Sequence, residues 1–366
     1  WESADDGTEQ CPDWTIEPDG TCYRCYVAMY EHHVTADVAY GIYDYVRITK
    51  DLDFLYGRGA EVLTETARFW ASRCEYVTEK DRYEINQVTG PDEWHEPVNN
   101  NLYTNYFARW NLRYVMSLIR TMKEERPDDY EALMKKTGLK EEELEFWNTV
   151  QSKIYLPRKE GTNLLEQFEG YFQLKDVVID QYDENDWPIR PEALKTCKAR
   201  ETQILKQPDV VLLLHLLGEE FEPELMKENY DYYEKRTLHG SSLSPSIYSV
   251  MGLKVGDDSK AYRYLKRAAL IDLLNLQKNT REGIHAANAG GVWQTIVFGF
   301  AGVSIGKDGI LNVKPNMPKE WSSLKFRLHY DNAWLEIQTD GNNQAEVRRL
   351  DGAPVGIWIN GEKKEI

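Results

Sequence analysis

Nowhere in its 366 residues does the sequence hold a run of about eighteen apolar side chains, so it offers no helix able to cross a bilayer. Basic residues are in deficit. Lys and Arg number 44 against 61 Asp and Glu, a formal charge of −17, which argues against nucleic acid or an anionic membrane surface as the main partner. Cysteine is scarce, with five residues at positions 11, 22, 25, 74 and 197. Cys22 and Cys25 form a CxxC with Cys11 upstream, the outline of half a zinc site, but no second CxxC and no spaced His pair follows. His32 and His33 are adjacent, and adjacent helical side chains point about 100° apart. No metal is expected. The chain opens on Trp1-Glu2-Ser3-Ala4 with neither a basic n-region nor an apolar h-region, so no signal peptide is visible. With an odd number of thiols, that places the protein in the cytoplasm by expectation.

Aromatic residues are abundant instead: 11 Trp and 23 Tyr. Their apolar rings and hydrogen-bonding tips suit a large core and equally a carbohydrate cleft. Residues 1–22 carry acids, Pro and Gly but no Lys or Arg, and read as an acidic loop. From Tyr26 apolar residues recur at helical steps. Helices are expected over 26–45, 51–76, 102–125, 140–154, 193–206, 208–218, 222–235, 258–277 and 290–303, with 155–192 irregular. After Gly302 the period becomes two, with short strands at 310–313, 324–328, 334–337 and 356–359 between Gly and Asn turns. Helices followed by strands form a segregated architecture and exclude a doubly wound sheet. The domains expected are a helical one over 1–302 and a β-sheet one over 303–366.

The densest chemistry lies in Gly90-Pro91-Asp92-Glu93-Trp94-His95-Glu96, followed by Asn99-Asn100-Asn101. Gly-Pro makes a rigid turn and Asn is a favoured helix N-cap. On these residues alone two readings stand. Asp92 and Glu93 cap a turn, or a carboxylic acid stays protonated against the wall of Trp94 and serves as a general acid.

The same segment resembles the GPDEYHE and VDNNAYTN signatures of glycoside hydrolase family 65, the maltose, kojibiose and trehalose phosphorylases. Further segments are similar to that family in the same order. Trp1-Glu2-Ser3-Ala4 resembles the end of its YPWESA motif, and Lys206-Gln207-Pro208-Asp209-Val210 its KQADV. The segment from Tyr233 to Ser244 resembles YEPxTxHxSSLS, and Gly283 to Gly291 resembles GIHAANxGG. Trp94 for Tyr, Pro208 for Ala and Lys235 for Pro are departures.

The resemblance implies a mainly α fold, an (α/α)6 barrel followed by a small antiparallel β-domain. It also implies upstream parts absent from this sequence, so the chain is expected to be the C-terminal portion of a longer, homodimeric enzyme, with the barrel's first helices missing. Glu93 becomes the expected general acid. Ser241, Ser242, His285, Gly290 and Gly291 become the phosphate cradle, the two glycines offering amides just ahead of a helix expected to begin near Val292. Trp1, Glu2, Lys206, Gln207 and Glu234 are expected to hold glucose, with Thr35 and Trp94 on the acceptor side. The implied reaction is inverting phosphorolysis of an α-glucoside to β-glucose 1-phosphate. Phosphate is then a co-substrate, and neither metal nor organic cofactor is required. A hydrolase using Glu234 as base is the alternative; an inactive carbohydrate-binding fragment is the second. The acceptor is left open, with Lys235-Arg236 leaning toward a kojibiose or glucosylglycerol type.

Overall fold

The structure, a computed structural model, describes Thr8, Trp14–Ile16, Cys22–Arg24 and residues 26–366 other than 185, 186 and 307. The expectations for Trp1, Glu2, Cys11 and Cys25 fall outside the described residues. Contacts divide the chain into two compact units. One comprises residues 1–46, 51–176 and 197–203, the other 47–50, 177–196 and 204–366.

The first unit opens with β1 (Trp14–Ile16) paired antiparallel to β2 (Cys22–Arg24), where only loop was expected. Its helices are α1 (Val27–Tyr30), α2 (Val34–Thr49, which runs on into the second unit), α3 (Leu52–Phe54), α4 (Ala60–Arg73), α5 (Leu102–Glu125), α6 (Pro127–Thr137) and α7 (Glu141–Lys153). A π-turn over Leu55–Gly59 joins α3 to α4, and β3 (Glu75–Val77) pairs antiparallel with β4 (Arg82–Glu84). Asn101 caps α5 as its side-chain oxygen accepts from the Thr104 amide at 3.0 Å. The first turns of α5 bury nearly every side chain, Leu102 to Ala108 without exception. The α6 helix was not expected. It has Pro at its first turn, Asp128-Asp129 behind it, Lys135-Lys136 in its last turn and Gly138 at φ +63° as its stop. These are good end signals around an interior with one buried leucine, Leu133.

The second unit holds α8 (Val210–Leu216), α9 (Pro223–Glu234), α10 (Ser244–Val255), α11 (Asp258–Leu270) and α12 (Ala286–Gln294). The expected helix over 193–206 is absent, replaced by single 3-10 turns at Glu192–Lys195 and Ala199–Glu201. The expected 258–277 helix ends at Leu270. The α10 helix was not expected either, because its residues are buried on several sides and its apolar positions show no single face. The helix expected to begin near Val292 starts at Ala286 and continues as a π-turn over Thr295–Phe300.

At Gly302 (φ +63°) the chain leaves the helices. A Cβ there would lie 1.7 Å from the Lys314 carbonyl oxygen, so only glycine fits. Beyond it lie β5 (Val303–Ile305), β6 (Leu311–Val313), β7 (Ser323–Tyr330), β8 (Ala333–Asp340), β9 (Ala345–Gly352), β10 (Gly356–Ile359) and β11 (Glu362–Glu365). Strands β7, β8 and β9 form an antiparallel meander, and the other sheet has the order β11-β10-β6-β5. The expected all-antiparallel domain is corrected at one pair. Strand β10 runs parallel to β6, Trp358 opposite Asn312 and Ile359 opposite Val313. Leu311, Val313, Leu335, Ile337 and Ile357 meet Val297 and Ala301 in one apolar cluster.

Candidate active site

In the first unit the segment carrying Glu93 is a closed loop. Val88 and Val98 exchange both backbone hydrogen bonds at 2.9 and 2.8 Å, and the Thr89 amide donates to the Tyr30 carbonyl at 2.8 Å. The asparagine run pins its base. Asn99 Oδ1 accepts from the Gln87 amide at 3.0 Å, Asn100 Oδ1 accepts from the Ile85 amide at 3.1 Å, and Asn101 begins α5. At the tip Glu93 and Trp94 occupy a turn and are partly exposed, between buried Asp92 and buried His95. His95 Nδ1 lies 2.6 Å from Asp92 Oδ2, and Nε2 donates to the Thr202 carbonyl at 2.9 Å. Thr35 sits partly buried in the first turn of α2, close in sequence to His33. The His33 ring lies 2.7 Å from Asp37 Oδ2 and 3.5 Å from Glu31 Oε1. Burial opposes its charge, but these two carboxylates prevail and raise its pKa to about 9.

In the second unit, main-chain pairing brings together several of the residues expected to hold sugar and anion. The Leu205 amide donates to Arg236 O at 2.8 Å, Leu238 N to Leu205 O at 2.9 Å, and Gly240 N to Lys206 O at 2.9 Å. Lys206 and Gln207 therefore run beside the segment that leads from Glu234 to Ser241 and Ser242. Glu234 is buried, with Tyr264 donating to Oε1 and Lys260 to Oε2, both at 2.8 Å. Behind it, His239 Nε2 lies 3.1 Å from the Tyr264 hydroxyl and Nδ1 lies 2.8 Å from Ser244 Oγ. Burial drives the His239 pKa down to about 3, the neighbouring Arg267 adding to the effect, so the ring is neutral. Ser241 is partly buried, its Oγ accepting from the Leu243 amide at 3.3 Å, and Ser242 is buried.

His285 stands at the N-cap of α12. Asp272 grips it twice, accepting from the His285 amide at 2.8 Å and meeting Nδ1 at 2.5 Å. Those bonds hold the Asp272 carboxyl below its usual range. Gly290 and Gly291 do not precede the helix. They lie inside it, so the first-turn amides are those of Ala286, Ala287 and Asn288. Gly291 serves packing instead. A Cβ there would lie 2.5 Å from Ser246 Oγ, so glycine lets α12 rest on α10.

Among the described residues no three His, Cys, Asp or Glu side chains are grouped to hold a metal ion, and no helix is long and apolar enough to cross a membrane. Cys22 is exposed; Cys74 is buried, its thiol pushed up to about 12 chiefly by burial. Sequence reasoning missed Asp272, Lys260, Tyr264 and His239 as partners of site residues. Only His239 carried a signal, its place within the motif from Tyr233 to Ser244.

Comparison with known proteins gives consistent results. The glycosyl hydrolase family 65 central catalytic domain matches residues 1–294, and the family's C-terminal domain matches residues 305–366. The chain is 50% identical to a kojibiose phosphorylase of Caldanaerobacter subterraneus subsp. tengcongensis over 99% of its own length and 47% of that protein's. It is 37% identical to an α,α-trehalose phosphorylase of Thermoanaerobacter brockii over 91% of this chain and 43% of that one. A solved structure described as a kojibiose phosphorylase from the human microbiome superposes with a TM-score of 0.79 at 32% identity, covering 91% of this chain and 43% of the other. The chain spans about half the length of the curated relatives it matches. Its fold is that of an (α/α)6 barrel followed by a small β-domain. The chain belongs to glycosyl hydrolase family 65.

Proposed function

We propose that this chain contributes the acid, anion and sugar contacts of an inverting α-glucoside phosphorylase acting on a kojibiose-type disaccharide. Glu93 protonates the glycosidic oxygen as the bond to C1 breaks. Inorganic phosphate attacks C1 from the opposite face, which yields β-glucose 1-phosphate and a free acceptor sugar. An inverting hydrolase needs a second carboxylate to activate water there. A phosphorylase needs an anion site instead. Ser241, Ser242 and the α12 N-terminus with His285 supply hydroxyl, amide and imidazole donors, and the helix dipole favours a negative charge. With Nδ1 committed to Asp272, His285 turns Nε2, which the Asn279 side-chain amide approaches to 3.4 Å, toward phosphate. Lys206, Gln207 and Glu234 hold glucose, while Thr35 and Trp94 border the acceptor.

The observation that carries this reading is the closed loop that presents Glu93 beside Trp94 on a pinned turn. The hydrolase alternative called on Glu234 as base. Both of its oxygens already accept from Tyr264 and Lys260, which counts against it. The 50% identity to a kojibiose phosphorylase supports the acceptor assignment over a trehalose type at 37%. The deciding experiment follows turnover of kojibiose with and without phosphate. Glucose 1-phosphate forming only with phosphate is the expected result. Equal sugar cleavage without phosphate would make the protein a hydrolase.

A further inference from the structure

We infer that Asp92 and His95 are positioning residues for the general acid, clasping the two ends of the turn whose middle carries Glu93 and Trp94. The inference rests on the assignment of Glu93 as that acid. Burial shows which way the turn faces. Asp92 is 1% and His95 3% exposed, whereas Glu93 and Trp94 between them are partly exposed. The outer pair therefore points into the protein and closes on itself at 2.6 Å, leaving the inner pair on the opposite side.

The clasp is held at a second point. His95 Nε2 reaches the Thr202 carbonyl at 2.9 Å, and the ring packs against Phe168 and Tyr171 with centroids 5.2 and 6.3 Å away. Gln167, whose own carbonyl accepts from Leu102 at the start of α5, reaches Asp92 Oδ2 at 3.5 Å.

Proton counting fixes its chemistry. A carbonyl oxygen only accepts, so Nε2 carries a hydrogen. Oδ2 of Asp92 faces Nδ1, so a second proton lies between those two atoms. Whichever atom holds it, the pair is neutral overall. An unpaired carboxylate or imidazolium in this dry place is costly, and removing one partner leaves the other uncompensated. The clasp thus fixes backbone and protonation together, at the two ends of the turn that bears the acid. Positional error of about 1 Å in such a group costs on the order of 100-fold in rate.

The test compares Asp92→Asn, His95→Gln and Glu93→Gln on two donors. One is kojibiose, whose leaving oxygen needs a proton. The other is α-glucosyl fluoride, from which phosphate displaces fluoride as the free anion, so the acid is dispensable. The expected result is a loss of roughly 10- to 100-fold in kcat on kojibiose for Asp92→Asn and His95→Gln. The KM for phosphate should hold, and turnover of the fluoride should stay near that of the unaltered protein. Equal losses on both donors would reduce the pair to a fold element and overturn the inference, as would unaltered kojibiose kcat. Glu93→Gln with full kojibiose activity would instead overturn the acid assignment. A separate measurement on the unaltered protein requires no turnover: the ¹⁵N-resolved spectrum of His95 should show hydrogens at both ring nitrogens or a Nδ1 signal shared with Asp92. An Nδ1 free of any such proton removes the clasp regardless of activity.

Discussion

Glu93 and Glu96 lie three residues apart in one loop, yet they are expected to differ sharply in consequence. Glu93→Gln keeps the side chain's shape and removes its transferable proton, so kcat for kojibiose should fall by at least about 100-fold, the common size of general-acid effects. Glu96→Gln should cost far less. Steady-state rates on the two variants decide between them, and a dead Glu96→Gln beside a live Glu93→Gln would reverse the assignment. In the proposed mechanism, His285→Ala removes a contact aimed at the nucleophile. It should raise the KM for phosphate more than the KM for the sugar. Asp272→Asn is expected to reproduce part of that effect, because the carboxylate that orients the ring is gone while the amide still reaches the His285 main chain.

At the scale of elements, the two neighbouring glycines of α12 are unequal. A Cβ added at Gly290 would meet nothing within 4 Å, whereas one at Gly291 would lie 2.5 Å from Ser246 Oγ and 2.9 Å from its Cβ. Gly290→Ala should therefore be neutral or stabilising by up to about 1 kcal/mol through helix propensity. Gly291→Ala should destabilise by about 1–3 kcal/mol through overpacking. Chemical denaturation of the two variants checks both signs. The pair also illustrates what sequence makes legible. The motif with two glycines was visible, but their place inside a helix was not, because Ala286-Ala287-Asn288-Ala289 gives no start signal stronger than the glycines' own break. Helix α5 could be read from its Asn cap and apolar period, to the residue at both ends. Helix α10 could not, since burial on several sides erases the period that betrays a half-buried helix. Glu93 stood out through its neighbours in sequence; Asp272, Lys260 and Tyr264 did not, because what makes them matter is proximity created by folding.

For the molecule as a whole, buried and partly buried histidines set opposing pH trends. His33 is raised from 6.5 to about 9 in the folded state, so its contribution to stability is complete below pH 6.5 and is lost as pH rises through 9. His215 and His239 are lowered to about 3, chiefly by burial. They stay neutral when folded, and the unfolded chain takes up protons first, so stability declines as pH falls below 6.5 toward 3. Thermal unfolding across that range should show a broad maximum near neutrality. His33→Gln should flatten the alkaline side and leave the acid side alone. Exhaustive chelation should leave activity unchanged, since phosphate meets only protein donors in the proposed mechanism; loss restored by zinc would point back to the cysteines near the start of the chain.

The parallel pairing of β6 with β10 has a consequence in time. Leu311–Val313 emerges from the ribosome about 45 residues before Ile359 does, roughly two to nine seconds at synthesis rates of about 5–20 residues per second. Strands β5 and β6 are antiparallel neighbours separated by one short turn and are free to pair at once. The meander of β7, β8 and β9 likewise needs only its own hairpins. The far edge of β6 has to wait, bearing Leu311 and Val313 that end up buried and unmatched backbone groups that any other nascent strand is able to satisfy. Yield in a heterologous host should therefore depend on how quickly the last strands are delivered, and a pause over 314–355 should send more chain into inclusion bodies than an equal pause among the helices.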